Sequence, residues 1–200
     1  MSILLGEEIQ DEYNEGKIVI KPYDAKQVGP NSYDVTLSNT LKVYFGNIEK
    51  GEMVLDVKKR NGTLTINIPE EGMVLRPGTL YLGSTVEAIG SDHYIPMYEG
   101  RSSMARLGIQ SHISAGFGDI GFKQRWTLEI TVVHPVRIYP GMKIGQIYFH
   151  HVNPEFNNKY WRYQGKYKNQ NEPQESKSFL DYTDGEEEIE GNVDYLILGC

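Results

Sequence analysis

RWTLEITVV, residues 125–133, alternates apolar and polar side chains from Trp126 to Val132. A period of two is the signature of an extended strand with unlike faces: Trp126, Leu128, Ile130 and Val132 on one side, Thr127, Glu129 and Thr131 on the other. The first face is a core face. The second has two readings. Facing solvent, Glu129 is an ordinary strand carboxylate; lining a pocket, it is a candidate proton carrier.

Short runs of the same kind lie on both sides of this stretch. KIVIKP (17–22), SYDVTL (32–37), LKVYF (41–45), TLTINI (63–68), TLYLGSTVEAI (79–89), VRIYP (136–140) and IGQIYFHHV (144–152) are rich in Val, Ile, Tyr and Thr and are separated by Gly, Pro and Asn turns. That spacing predicts an all-β barrel or sandwich. Ahead of it, LLGEEIQDEYNEGK carries early acids, Ile9 and Tyr13 four residues apart, and Gly16 where a helix ends, which predicts one short N-terminal helix. His150 and His151 are adjacent, so they point to opposite faces of a strand and do not share a metal. From about residue 153 to 179 the chain is polar, aromatic and Lys-rich without a period, as expected of a C-terminal arm lying over a surface.

Two hundred residues suffice for one domain with an appended tail. The formal charge is −7, but six acids and no base fall within residues 183–200, and without them the charge is −1. No basic stripe is present for nucleic acid, so the expected partner is a small molecule. The lone cysteine, Cys200, excludes an internal disulfide and a Cys-based zinc site. MSILLGEEIQ lacks the basic start and long apolar run of a signal peptide, and no stretch is long enough to span a membrane; a reducing cytoplasm is the expected setting.

Two further segments carry chemistry. EGRSSMARLG (99–108) places Arg101, Ser102, Ser103 and Arg106 within six residues between glycines. That donor cluster has no acidic competitor and suits polyphosphate oxygens; it also suits a solvated turn whose arginines pair with surface acids. In SAGFGDIGF (114–122), Asp119 stands among Ala115, Gly116, Gly118 and Gly121, where backbone can approach a ligand while the carboxylate accepts from hydroxyls. A plain Gly-Asp turn explains the same residues.

Together these segments resemble the dCTP deaminase family, a branch of the trimeric dUTPase-like fold. Four blocks carry the match in family order: PNSYDVTL (30–37), LRPGTLYLGSTVEAI (75–89), EGRSSMARLGIQSHISAGFGDIGFKQRWTLEI (99–130) and YPGMKIGQIYF (139–149), followed by KYKNQNEP (166–173). The resemblance implies a dUTPase-like domain over residues 1–180, as a distorted barrel or jelly roll with a lid arm from about 153, and leaves residues 181–200 as an acidic tail without an assigned role. It implies hydrolysis of dCTP to dUTP and ammonia with Glu129 as catalytic base and acid. Ser102 and the Ala115 backbone stand by the reacting water, Arg101, Ser102, Ser103 and Arg106 by the phosphates, Asp119 by the deoxyribose, and Thr127 and Leu128 by the cytosine. Tyr160, Lys166 and Gln170 correspond to arm residues that close over the triphosphate. It also implies a homotrimer with sites between subunits, feedback by dTTP, and Mg²⁺ carried on the triphosphate and not by protein side chains.

Zinc deaminases of nucleobases use an H-x-E and P-C-x-x-C set, and neither motif occurs here. Water activation then falls to a carboxylate. The chain departs from the family at Gly118-Asp119-Ile120-Gly121, where members read Ile-Asp-Pro-Gly; an added glycine and a missing proline are expected to loosen the sugar loop. Three other readings stand beside the first: a bifunctional enzyme that also cleaves the triphosphate to give dUMP, a plain dUTPase, and a nucleotide-binding regulator without activity.

Overall fold

The computed structural model describes residues 2–49, 51–153 and 162–182. Its first element is a helix, α1 (Gly6–Asn14), as the early acids predict: Glu8 turns back to accept the Leu5 N–H at 2.7 Å, and Gly16 beyond its end has φ +75°. α1 buries Gly6 and Ile9.

Strands follow: β1 (Ile18–Lys21), β2 (Tyr33–Thr36), β3 (Thr40–Tyr44), β4 (Asn47–Glu49), β5 (Glu52–Val54), β6 (Thr63–Asn67), β7 (Met73–Leu75), β8 (Tyr81–Ser91) and β9 (Tyr94–Gly100). After a short helix, α2 (Ser102–Arg106), come β10 (Ile109–Gln110), β11 (Lys123–Val132), β12 (Val136–Ile138) and β13 (Lys143–His151). The pairings are antiparallel. One curled sheet runs β10-β11-β8-β3-β6, with β1 on β8 as well; a second runs β2-β13-β9. The fold is all-β, a distorted barrel with a short N-terminal helix and a C-terminal arm.

β8 organises the larger sheet. One of its edges is followed by β11 from Tyr81 to Gly90, while the other is shared between β3 at Tyr81–Leu82 and β1 at Ala88–Ser91. β11 behaves as its alternation requires, with Trp126, Leu128, Ile130 and Val132 buried in the common core beside Tyr98, Ile147 and Phe149 of the second sheet. Two sheets sharing one core are joined by a polar staple. Glu87 of β8 is 1% exposed and accepts from the Thr36 N–H (2.9 Å), the Thr36 hydroxyl (2.8 Å) and the Gln27 amide (2.8 Å). A buried carboxylate is tolerable when its oxygens are satisfied in this way.

Strands β4, β5, β7, β9 and β10 and helix α2 are elements the sequence reading does not contain. β9 carries Pro96, which counts against a strand; it is accommodated because β9 is the edge of its sheet, where a missing N–H breaks no inner ladder. Among the described residues no helix is long and apolar enough to cross a membrane.

Candidate active site

The polar face of β11 opens onto a cavity of about 460 Å³. Thr127 and Glu129 stand on that face, with Leu80 and Leu82 from the β8 side beneath the same space. Ala115, Phe117, Gly118 and Asp119 form one wall, and Tyr44 of β3 contributes on the opposite sheet side. The arm supplies the rest: Tyr163, Tyr167, Gln170, Gln174 and Ser176. Glu129 therefore lines a cavity. Its Oε2 accepts a long hydrogen bond from the Ile113 N–H at 3.4 Å.

β10 pairs with Thr131 and Val132, so among the described residues the edge of β11 alongside Thr127 and Leu128 carries no neighbouring strand. Leu128 points its side chain into the core, leaving only its backbone to meet a ligand. The arm uses part of this edge. The Gln170 amide donates to Arg125 O at 2.7 Å, the Gln170 N–H to the Gln124 side-chain oxygen, and the Gln174 N–H to Thr127 Oγ1 at 3.1 Å. Gln170 is buried by these bonds. The Ser176 N–H donates to the Tyr44 hydroxyl at 2.8 Å, and Glu175 meets Lys42 at 2.9 Å and Arg60 at 3.4 Å. Burial is the largest single influence on Glu175 and opposes its ionisation, but the Lys42 ammonium, a backbone hydrogen bond and the Arg60 charge together outweigh it and hold the carboxyl below the usual range.

The loop bearing Asp119, with its extra glycine, is anchored by backbone hydrogen bonds. Gly118 N–H donates to Pro96 O (2.9 Å), Phe122 N–H to Asp119 O (3.1 Å), Gly121 N–H to Ser91 O (2.8 Å), and Tyr163 N–H to Ile120 O (2.8 Å). Four backbone bonds tie the loop to Pro96, Ser91, the arm and its own turn. Gly118 is required sterically, since a Cβ there would lie 2.3 Å from the Trp126 ring. Gly121 has φ +89°, a conformation other residues rarely adopt.

Aromatic side chains are what the sequence reading missed. Phe122 stands edge-on to both Trp126 (5.6 Å between centroids) and Tyr163 (5.3 Å), continuing a stack from Tyr98 in the core to the arm. Burial pushes the Tyr98 and Tyr163 hydroxyls up from their ordinary pKa. The aromatic residues of the arm were the available signal.

Not every predicted residue reaches the cavity. Ala115, Asp119, Thr127, Glu129 and Gln170 line it; Tyr160 lies outside the described residues, and the Lys166 ammonium is paired with Asp181 of the arm. The donor cluster is elsewhere on the same chain. It forms α2, with Ser102, Ser103 and Arg106 exposed and Arg101 held at 2.9 Å by Asp34, which Lys143 also meets at 2.9 Å. Among the described lining residues the cavity has two carboxylates and no Lys or Arg. Among the described residues, no three His, Cys, Asp or Glu side chains cluster as a metal site.

Fold and pocket together define a class: an all-β domain whose strand carboxylate faces an aromatic-walled cavity closed by a C-terminal arm. The family model described as dCTP deaminase-like matches residues 3–152. The chain belongs to the dCTP deaminase-like family of enzymes. A relative from Clostridium acetobutylicum, named dCTP deaminase, dUMP-forming, is 49% identical over 180 residues, covering 90% of this chain and 98% of the relative. Proteins of the same name from Hathewaya histolytica (49%, covering 90% and 99%) and Leptospira biflexa (50% over 153 residues, covering 76% and 84%) are also similar. A crystal structure of 2′-deoxycytidine 5′-triphosphate deaminase from Agrobacterium tumefaciens shares the fold with a TM-score of 0.59 at 21% identity, covering 75% of this chain. This chain spans about half (48%) of that one.

Proposed function

We propose that the chain converts dCTP to dUMP, diphosphate and ammonia. Two waters are consumed, one replacing the amine at cytosine C4 and one opening the bond between the α- and β-phosphates. The names of relatives that match across nine-tenths of the chain support dUMP as product over the release of dUTP. The observation that carries the chemistry is Glu129 on the pocket face of β11, sharing one cavity with Asp119.

In this reading Glu129 takes the proton of the attacking water and returns it to the base and departing amine. The Ala115 backbone and Ser102 hold that water, Thr127 and the backbone of Leu128 read the cytosine, and Asp119 accepts from the deoxyribose hydroxyl. A triphosphate needs positive charge that the described lining residues do not supply, while Ser102, Ser103 and Arg106 stand on exposed α2 of the same chain with Arg101 just ahead of it. A homotrimer, in which α2 of one copy completes the cavity of the next, reconciles the two. Sedimentation as a monomer at assay concentration would contradict it. Lys166, Gln170 and Tyr160 close the arm over the phosphates. Mg²⁺ comes with the substrate, its ligands being triphosphate oxygens. dTTP shares the sugar and triphosphate and is the expected feedback inhibitor, and the enzyme would act in the cytoplasm.

Incubation with dCTP and Mg²⁺, followed by separation of nucleotides, diphosphate and ammonia, tests the proposal. Ammonia with dUMP and diphosphate in equal amounts supports it; ammonia with dUTP alone would restrict the activity to deamination, and absence of ammonia would refute it.

A further inference from the structure

Between Ser111 and Gly116 the chain passes from one sheet to the other. Up to Gln110 it is β10, paired with β11 of the larger sheet. From Gly116 it runs beside β9 of the second sheet, where the Tyr98 N–H donates to Gly116 O at 2.7 Å and Met97 bridges to Phe117. Ser111 and Gly116, the two ends of this strap, are buried, while Ile113, Ser114 and Ala115 between them are exposed. The strap carries two groups of the site: the Ile113 N–H, which donates to Glu129 Oε2 at 3.4 Å, and Ala115, which lines the cavity.

One residue of β9 holds both ends. Tyr98, 1% exposed, ties Gly116 through its N–H and Ser111 through its hydroxyl, which donates to Ser111 Oγ at 2.8 Å. Its ring also stands edge-on to His112, 5.4 Å between centroids. The fold makes room for the hydroxyl: a Cβ at Gly145 of β13 would lie 2.2 Å from Tyr98 Oη. Phenylalanine would serve packing alone as well, because a buried hydroxyl is costly unless it is paired. The bond to Ser111 therefore points to the strap.

We infer that Tyr98 and Ser111 are a positioning pair for deamination: their hydrogen bond fixes the strap so that the Ile113 N–H meets the Glu129 carboxylate and Ala115 faces the same space. The inference rests on the proposed role of Glu129 as proton carrier. Neither Tyr98 nor Ser111 is among the described lining residues, so the pair acts through the strap and not on the substrate. Misplacing a reacting group by about 1 Å can cost roughly 10²-fold in rate, and exposed residues between two fixed ends depend on those ends for their position.

Tyr98→Phe removes the bond while keeping the ring and the backbone contact. With dCTP and Mg²⁺, its kcat for ammonia release should fall about 10–100-fold while KM stays within about twofold of the parent's. The Ile113 amide proton resonance should move from its parent position in the direction it moves in Glu129→Gln. Because Tyr98→Phe leaves the Ser111 hydroxyl unpaired and lowers stability for that reason alone, the double variant Tyr98→Phe/Ser111→Ala is the control: with both partners gone it should regain the parent's melting temperature while kcat stays low. Recovery of kcat together with stability would make the pair merely structural and overturn the inference, as would an unmoved Ile113 resonance in Tyr98→Phe. A parent protein that releases no ammonia overturns the proposed function and this inference with it; an active parent beside an equally active Tyr98→Phe overturns the inference alone.

Discussion

Among the contacts that hold the arm over the cavity, one ion pair is directly measurable. Lys42 and Glu175 meet at 2.9 Å with side chains 16% and 14% exposed, so Lys42→Met strands a mostly buried carboxylate with only Arg60, 3.4 Å away, in partial compensation. Leaving a largely desolvated charge without its main partner costs about 1–3 kcal/mol, equivalent to roughly a 5–150-fold rise in arm opening. The reporters are the Gln174 and Ser176 amides, which donate to Thr127 Oγ1 and the Tyr44 hydroxyl across the cavity edge. Hydrogen exchange at these two amides, corrected for intrinsic rates, should quicken by that factor while β8 amides stay protected. pH gives an independent check. Because the Glu175 carboxyl is held below its ordinary range when the arm is closed, its contribution is full above the ordinary carboxylate pKa and is lost as pH falls through the depressed value. Acidification should therefore loosen the arm in the parent protein and change it far less in Lys42→Met. Equal exchange in the two proteins at neutral pH would refute the clamp.

Two further outcomes concern the frame of the site. Glu87→Ala leaves the Thr36 N–H, Thr36 hydroxyl and Gln27 amide without their acceptor between the sheets, costing about 3 kcal/mol or more, and should lower the melting temperature by roughly 6–12 °C by calorimetry. Gly118→Ala puts a methyl 2.3 Å from the Trp126 ring and 2.8 Å from Pro96 O, so the Asp119 loop must shift; a stability loss of about 1–3 kcal/mol with weakened dCTP binding is expected, and unchanged binding in titration calorimetry would remove that loop from the site.

β11 was legible because each face of the strand has a single fate, one the core and the other the cavity, and strict alternation records that. The same strand's Glu129 could be placed on a face but not in a pocket, since what covers a face comes from elements distant in sequence: the loop at 115–119 and the arm at 163–176. β9 was obscured by Pro96, whose cost vanishes at a sheet edge, and α2 by its five-residue length, too short for any periodicity. The backbone hydrogen bonds that anchor the Gly118 loop are invisible in composition, which showed only an added glycine. Arg101 and Arg106 were read as a donor cluster for phosphates from their spacing alone; the fold sets them at α2, apart from the described lining of the cavity, because a local motif does not record which distant elements it will face.

The central claim is that Glu129 carries the proton. With dCTP and Mg²⁺ as substrate, ammonia release by Glu129→Gln should fall by about 10²–10⁴-fold, the usual contribution of a general acid or base, while dCTP binding measured by calorimetry stays close to that of the parent protein. Ammonia release at a rate near the parent's, with binding intact, would contradict the account.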